Sequence, residues 1–258
     1  MIVFLINAIK IIFVLGFLVF IHEGGHFIVA KLCKVKVNEF AIGFGPTIWK
    51  KQGKETKYAI RLLPLGGFVS MEGEEEYSEK EGSFSKASVW KRIAIVAAGA
   101  VVNIIFAILV FFIIASILQK NMYYGILSTG KFLGSIVESL KMLFTGNVGI
   151  NDMMGPVGLS TVVSSASGII DFLYILSVIS LSLGVTNLLP IPALDGGKIL
   201  ILLIEAIRRK PMKEELEMKI QMLGFAFLIT LSLIVTYNDI IRIVWCRDVV
   251  CYVLNFIL

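Results

Sequence analysis

Ile21-His22-Glu23-Gly24-Gly25-His26-Phe27 is the stretch on which the reading of this chain turns. It has the form His-Glu-x-x-His. On a helix, residues four apart share a face, so both imidazoles reach one metal ion. The glutamate after the first histidine then stands where it can act as a base on a water at that ion. The chain contains only two histidines, and both are here. The motif also lies inside an apolar run that extends from Ile11-Ile12-Phe13-Val14-Leu15 through Phe27-Ile28-Val29-Ala30. Two histidines and a glutamate in a membrane-length apolar helix are costly unless they serve a function. The bland alternative is a set of polar residues packed at a helix–helix contact.

Working outward, composition agrees with a membrane setting. Of 258 residues, 57% are hydrophobic and only 17% charged, against roughly 25% charged in soluble domains. The mean hydropathy is +0.87. The net charge of +5 is concentrated in particular loops, which speaks to topology and not to nucleic acid. Cys33, Cys246 and Cys251 make no CxxC pair and no recognisable disulfide or metal framework. The N-terminus lacks a basic first segment and a small-residue cleavage site, so it reads as a mature first span and not as a signal peptide.

About 20 apolar residues cross a bilayer, and four segments qualify: roughly 2–32, 93–118, 169–207 and 222–244. Between the first two, Lys31 to Arg92 is rich in Lys and Arg, including Lys34, Lys36, Lys50, Lys51, Lys54, Lys57 and Arg61. The positive-inside rule makes this loop cytoplasmic and puts the N-terminus outside. Within it, residues 35–40 and 57–62 alternate like strands, and Pro64-Leu65-Gly66-Gly67-Phe68-Val69 follows. A small β-hairpin or sheet over about 35–70, dipping toward the membrane, is expected. Its edges suit an extended peptide, with Gly66 and Gly67 as candidate substrate contacts. Simple glycine turns are the alternative. The acidic run Glu72-Gly73-Glu74-Glu75-Glu76 reads as a solvated loop. Ala97 to Ala100 and Asn103 give the second span a close-packing face with a hydrogen-bonding group. Residues 132–144 have helical spacing, for an amphipathic helix at the outer interface or one packed on the spans.

The segment 169–207 is interrupted by Asn187-Leu188-Leu189-Pro190-Ile191-Pro192-Ala193-Leu194-Asp195-Gly196-Gly197. Two prolines and two glycines in that stretch forbid a continuous helix. Non-helical backbone at membrane depth survives only when buried in protein or lining a wet cavity. A catalytic zinc site usually takes three protein ligands and leaves one position open. The histidines supply two, and Asp195 is the best third: it follows the broken turn, and its flanking glycines allow close backbone approach. A helix-capping role for Asp195 is the alternative. Asn187 is a donor near the break, either for substrate backbone or for tying the broken segment together.

With these residues in view, the chain resembles the site-2 protease family of intramembrane zinc metalloproteases, in its bacterial branch. The likeness is carried by His22-Glu23-x-x-His26, residues 40–46 and 64–69, Gly99-x-x-x-Asn103, Gly155-Pro156-Val157-Gly158, residues 187–197 and Thr236-Tyr237-Asn238-Asp239. The resemblance implies His22, His26 and Asp195 as zinc ligands and Glu23 as the catalytic glutamate. It implies that a membrane-inserted hairpin, here about 57–70, holds the substrate strand. It also implies cleavage of transmembrane segments of other membrane proteins, often anti-sigma factors. Relatives usually carry a PDZ domain between the second and third spans. The roughly twenty residues between Leu118 and the helix around Glu138 are too few for one.

The expectation is therefore an α-helical polytopic protein of the cell membrane, with about four spans, a β insertion and a single metalloprotease domain. Its partners are the bilayer and a membrane-protein substrate. A non-proteolytic adaptor that keeps the fold is the competing reading, and a metal transporter is a third. An adaptor has no need of Glu23, and a transporter needs a continuous polar path where the spans show few other ionisable residues.

Overall fold

The computed structural model describes residues 2–74, 76–145 and 154–245. The expectations for Cys246, Cys251 and the tail beyond Trp245 fall outside them. The chain divides into two compact units: Met1–Ile11, Ile108–Val178 and Ala226–Leu258 in one, Ile12–Ala107 and Ile179–Phe225 in the other.

Four helices are long and apolar enough to cross a membrane: Ile6–Leu32, Val89–Leu118, Ile169–Asn187 and Glu214–Arg242. The first helix, α1 (Ile2–Leu32), is apolar on all sides, as a lipid-facing helix must be. Its C-terminal end carries Lys31, favourable beside the helix carbonyls, and Lys34 leaves the helix at φ 62°.

Two long strands follow, β1 (Val37–Gln52) and β2 (Lys57–Met71), paired antiparallel. Both bend, so residues 39–42 have neighbours on two sides. Phe40 lies opposite Val69 and also Tyr58; Ile42 lies opposite Gly67 and also Ile60. Residues 47–52 pair with 57–61 at the outer margin. The bend needs Gly66, whose φ of +118° disfavours any side chain and whose Cβ would overlap the Phe44 ring. The sheet lies along α1. The Phe40 ring is 5.3 Å from that of Phe27 and 6.1 Å from that of Phe20. The turn at 53–56 is at the helix end, where Lys31 meets Glu55 at 2.8 Å.

The segment after β2 departs from a solvated acidic loop. Glu72 accepts hydrogen bonds from Asn38, Ser78 and Lys80. Glu74 pairs with Lys198 at 2.7 Å. Carboxylates so close in sequence are drawn in because cations from distant elements reach them, which local sequence does not show. Beneath lies a core of Ala30, Val35, Val37, Met71, Phe84, Ile95, Val96 and Leu202.

The second helix, α2 (Val89–Leu118), begins before Ile93. The third, α3 (Met122–Phe144), packs back on the last turns of α2. The Phe111 and Phe132 rings stack at 4.1 Å, and Gly125 abuts Ser116. In the same unit, Asp239 accepts a 2.8 Å hydrogen bond from the Gly158 N–H, in the first turn of α4 (Pro156–Ser165).

The expected broken segment is α5 (Ile169–Asn187), an irregular link at 188–194, and α6 (Asp195–Arg208). The last helix, α7 (Glu214–Trp245), starts well before Met222, ahead of the span expected at 222–244. Hydropathy marks where apolar character begins. Glu214, Glu215, Glu217 and Lys219 are good helix formers and extend the helix beyond that point.

Candidate metal centre

All the residues of this site belong to one compact unit. His22 and His26 lie one turn apart on α1 and are both buried. Asp195 is the first residue of α6, and the N-cap position belongs to Leu194, which makes no side-chain cap. Capping is thus not what Asp195 does here. The positive end of the α6 dipole favours its carboxylate.

The link at 188–194 delivers Asp195 by a tight path. Ala193 has φ 73°, unusual for a residue with a Cβ, and its N–H donates to Gln221 Oε1 at 3.0 Å. Gly196 and Gly197 have no room for a Cβ against the carbonyls of Leu188, Leu189 and Ile191. Those two glycines are what the link requires to fold over the start of α6.

Three ligand atoms converge. His22 Nε2 is 3.1 Å and His26 Nε2 3.6 Å from Asp195 Oδ2, and the two Nε2 atoms are 3.2 Å apart. Four ligands placed tetrahedrally about 2.0–2.1 Å from zinc are roughly 3.3 Å from one another. The triangle matches that spacing. Among the described residues, these three form the cluster able to hold a metal ion. Asp195 Oδ2 is also buried and accepts no hydrogen bond, although both imidazoles are near. A buried carboxylate oxygen left unpaired is expensive, and a cation satisfies it. The donor set of two imidazoles and a carboxylate suits zinc.

Neighbouring groups orient the imidazoles. His26 Nδ1 is 2.8 Å from the Ile95 carbonyl. A carbonyl only accepts, so Nδ1 carries the proton and Nε2 offers its lone pair to a metal. Asn103, on α2 and fully buried, lies 3.4 Å from His22 Nδ1. Its backbone carbonyl accepts a hydrogen bond from Ser180 Oγ at 2.9 Å.

The glycines of the motif have separate roles. A Cβ on Gly25 would collide with Ala98 O at 2.6 Å, so this glycine admits α2 against α1. A Cβ on Gly99 would lie 2.4 Å from His26 Nε2, so the bare backbone of α2 floors the site. Gly24 faces open space.

Glu23 is half-buried, and its electrostatic neighbours are His26, Asp195 and Glu74. Its Cγ lies 3.0 Å from where a Gly67 Cβ would stand, which puts β2 beside it. Gly66 is at the bend just before. Asn187 ends α5 and makes no side-chain hydrogen bond with another described residue. It sits at the start of the link.

Next to Asp195 opens a cavity of about 980 Å³. Glu74, Arg92, Lys198, Glu205, Arg209 and Glu217 are among its charged lining. In its lining, half-buried Arg92 pairs with buried Glu205 at 2.9 Å. Sequence reading gave Glu74, Arg92 and Lys198 no part in this site, because nothing local marks residues that meet only after folding.

Fold and site together define a multi-pass membrane zinc metallopeptidase. Residues 10–231 match the model of peptidase family M50, and the chain belongs to that family, the site-2 proteases. Its relatives agree. A Clostridium acetobutylicum protein named for zinc metalloprotease activity is 30% identical, over 91% of this chain and 97% of its own length. Zinc metalloprotease RasP of Bacillus licheniformis is 26% identical, over 92% of this chain and 99% of its own. Regulator of sigma-W protease RasP of Bacillus subtilis is 25% identical, over 93% and 99%.

Proposed function

We propose that this protein hydrolyses peptide bonds within membrane-embedded segments of other membrane proteins, with His22, His26 and Asp195 holding zinc and Glu23 moving the proton. The observation that carries this reading is the triangle of three ligand atoms 3.1–3.6 Å apart, one of them a buried carboxylate oxygen without a hydrogen bond.

Bound zinc supplies a Lewis acid and lowers the pKa of water to about 7. Glu23 takes the proton from the attacking water and delivers it to the nitrogen of the leaving amine. His26 is held by the Ile95 carbonyl and His22 by Asn103, so neither imidazole must reorient during turnover. The substrate enters as an extended strand. On β2, residues 67–71 have β1 on one side and no strand on the other among the described residues. A peptide added at that edge runs past Gly67 and therefore past Glu23. Asn187, at the start of the link after α5, is a candidate donor to that backbone.

Orientation follows from charge. Tyr77 N–H donates to Glu214 at 2.9 Å, and Arg92 pairs with Glu205, so the Lys- and Arg-rich loop before α2 and a second basic stretch, Arg208, Arg209, Lys210 and Lys213, lie on one side of the membrane. By the positive-inside rule that side is the cytoplasm, and the N-terminus is outside. The sigma-W regulator among the relatives supports a substrate that is itself a membrane-bound regulator, such as an anti-sigma factor.

The test is reconstitution with single-span candidate substrates. Wild type cleaves them, and Glu23→Gln keeps its zinc but loses cleavage by three orders of magnitude or more, in the range of catalytic-group removals of ~10³ or above. Full cleavage by Glu23→Gln overturns the mechanism.

A further inference from the structure

The outer half of the β-sheet carries a second, unassigned site. A groove of about 330 Å³ is lined by Phe40, Ile42, Trp49, Tyr58 and Ile60, with Lys51 and Gly53 at one end. Register explains its polarity. Trp49, Ile60 and Ile42 lie opposite one another on one rung; Lys51, Tyr58 and Phe40 lie on the next toward the turn. The groove is therefore apolar at its inner end and cationic at the turn.

Its surroundings continue the same gradient. Beyond the apolar end, Phe44, Ile48, Leu62 and Leu63 are all about half exposed or more. The strand that carries Trp49 is unpaired on its outer side among the described residues. At the turn, the acids are already occupied: Glu39 by Lys57 and Arg61, Glu55 by Lys31. Lys50, Lys51 and Lys54 are exposed or line the groove and enter no ion pair with another described residue. Such a slot, greasy at one end and ringed by spare positive charge at the other, mirrors a lipid with an acyl chain and an anionic head. The sheet lies along α1, a span-length helix that leaves Phe20, Ile28 and Leu32 exposed, so a lipid beside that helix has access to the slot.

We infer that this groove binds an anionic glycerophospholipid of the surrounding leaflet, its acyl chain between Trp49 and Ile60 and its phosphate met by Lys51, with Lys50 and Lys54 adding positive charge around the turn. A basic residue near an anionic surface strengthens association roughly fivefold, and a Trp beside lysines suits the headgroup boundary. The bound lipid seats the outer strand, and through β1 the edge that faces Glu23.

The experiment uses the full chain in nanodiscs, with Trp90→Phe and Trp245→Phe so that Trp49 alone fluoresces. Quenching by acyl-brominated phosphatidylglycerol is compared with quenching by acyl-brominated phosphatidylcholine at equal mole fraction. Trp49 is quenched at least about twice as strongly by the anionic lipid, and the preference vanishes in K50Q/K51Q/K54Q and in about 0.5 M salt. Equal quenching by both lipids overturns the inference. So does a preference that the triple variant retains, or one that inorganic phosphate alone abolishes at constant ionic strength. The readout needs neither zinc nor cleavage, so it stands or falls apart from the peptidase reading.

Discussion

Asn103 places its amide nitrogen 3.4 Å from Nδ1 of His22, while its own Oδ1 is buried without a partner. The amide nitrogen only donates, so this pairing puts the imidazole proton on Nε2, where it blocks a metal. Turning the amide over, a change that exchanges near-identical atoms, lets Oδ1 accept from Nδ1–H and frees Nε2. Metal binding thus selects one amide orientation. Asn103→Leu, close in volume, removes the acceptor and lowers zinc affinity by about 10–100-fold. Asn103→Asp keeps an acceptor and keeps most of the affinity. Chelator competition measures both, and an unchanged affinity in the Leu variant excludes the orienting role.

Gly25 on α1 and Gly99 on α2, which face each other's helix, behave differently from Gly24. Gly99→Ala drives a methyl group to 2.4 Å from His26 Nε2, and the purified variant loses its zinc. Gly24→Ala meets nothing within 4 Å and gains about 1 kcal/mol of helix propensity. It therefore retains zinc and unfolds at a higher temperature than wild type. A Gly24 variant that loses zinc shows that this position is occupied in the working protein.

Much of the site was legible before the fold. The four-residue spacing of His22 and His26 is a property of any helix, and Asp195 stood out because a carboxylate beside a proline-broken turn at membrane depth has few other uses. The zinc-peptidase reading followed from those residues, and the family match agrees with it. What stayed hidden depends on which elements meet. The Ile95 carbonyl on His26 and the Asn103 amide on His22 exist because Gly25 and Gly99 let α1 and α2 touch. The solvated reading of the acidic run failed at Glu74 for the same reason: Lys198, whose charge fixes it, is far away in sequence. The sheet was visible as alternating segments. Its double pairing along residues 39–42 was not, because alternation specifies faces and says nothing of how many neighbours a strand has.

The Glu74–Lys198 pair bridges the segment after β2 to α6 at 2.7 Å, with side chains only 19% and 21% exposed. Lys198 also lies over the Phe84 ring at 5.2 Å and is one turn from Asp195. Breaking the pair releases the 72–86 segment from the wall of the cavity beside the metal centre. Lys198→Met therefore raises the rate of tryptic cleavage at Lys80, which is exposed and held in place by Glu72. The swapped pair Glu74→Lys with Lys198→Glu recovers protection. The double-mutant cycle gives a coupling of about 0.5–3 kcal/mol. Additive effects of the two single changes rule out the bridge as the restraint.

Sheet stability has a pH dependence whose sign is set by Glu39. Burial raises its affinity for a proton, but hydrogen bonds and charge from Lys57 and Arg61 outweigh this, and the carboxyl titrates below its ordinary value of 4.5. The unfolded chain then binds the proton more readily than the folded one. The contribution of Glu39 is present in full above the ordinary glutamate range and is lost as pH falls through the lower folded value. Hydrogen exchange at the amides of β1 and β2 is accordingly pH-independent in its opening free energy from neutrality to about pH 5, and protection falls on further acidification. Glu39→Gln removes that fall and leaves a weaker sheet at neutral pH. If the variant and the wild type lose protection in parallel below pH 5, other carboxylates carry the acid sensitivity and Glu39 has no part in it.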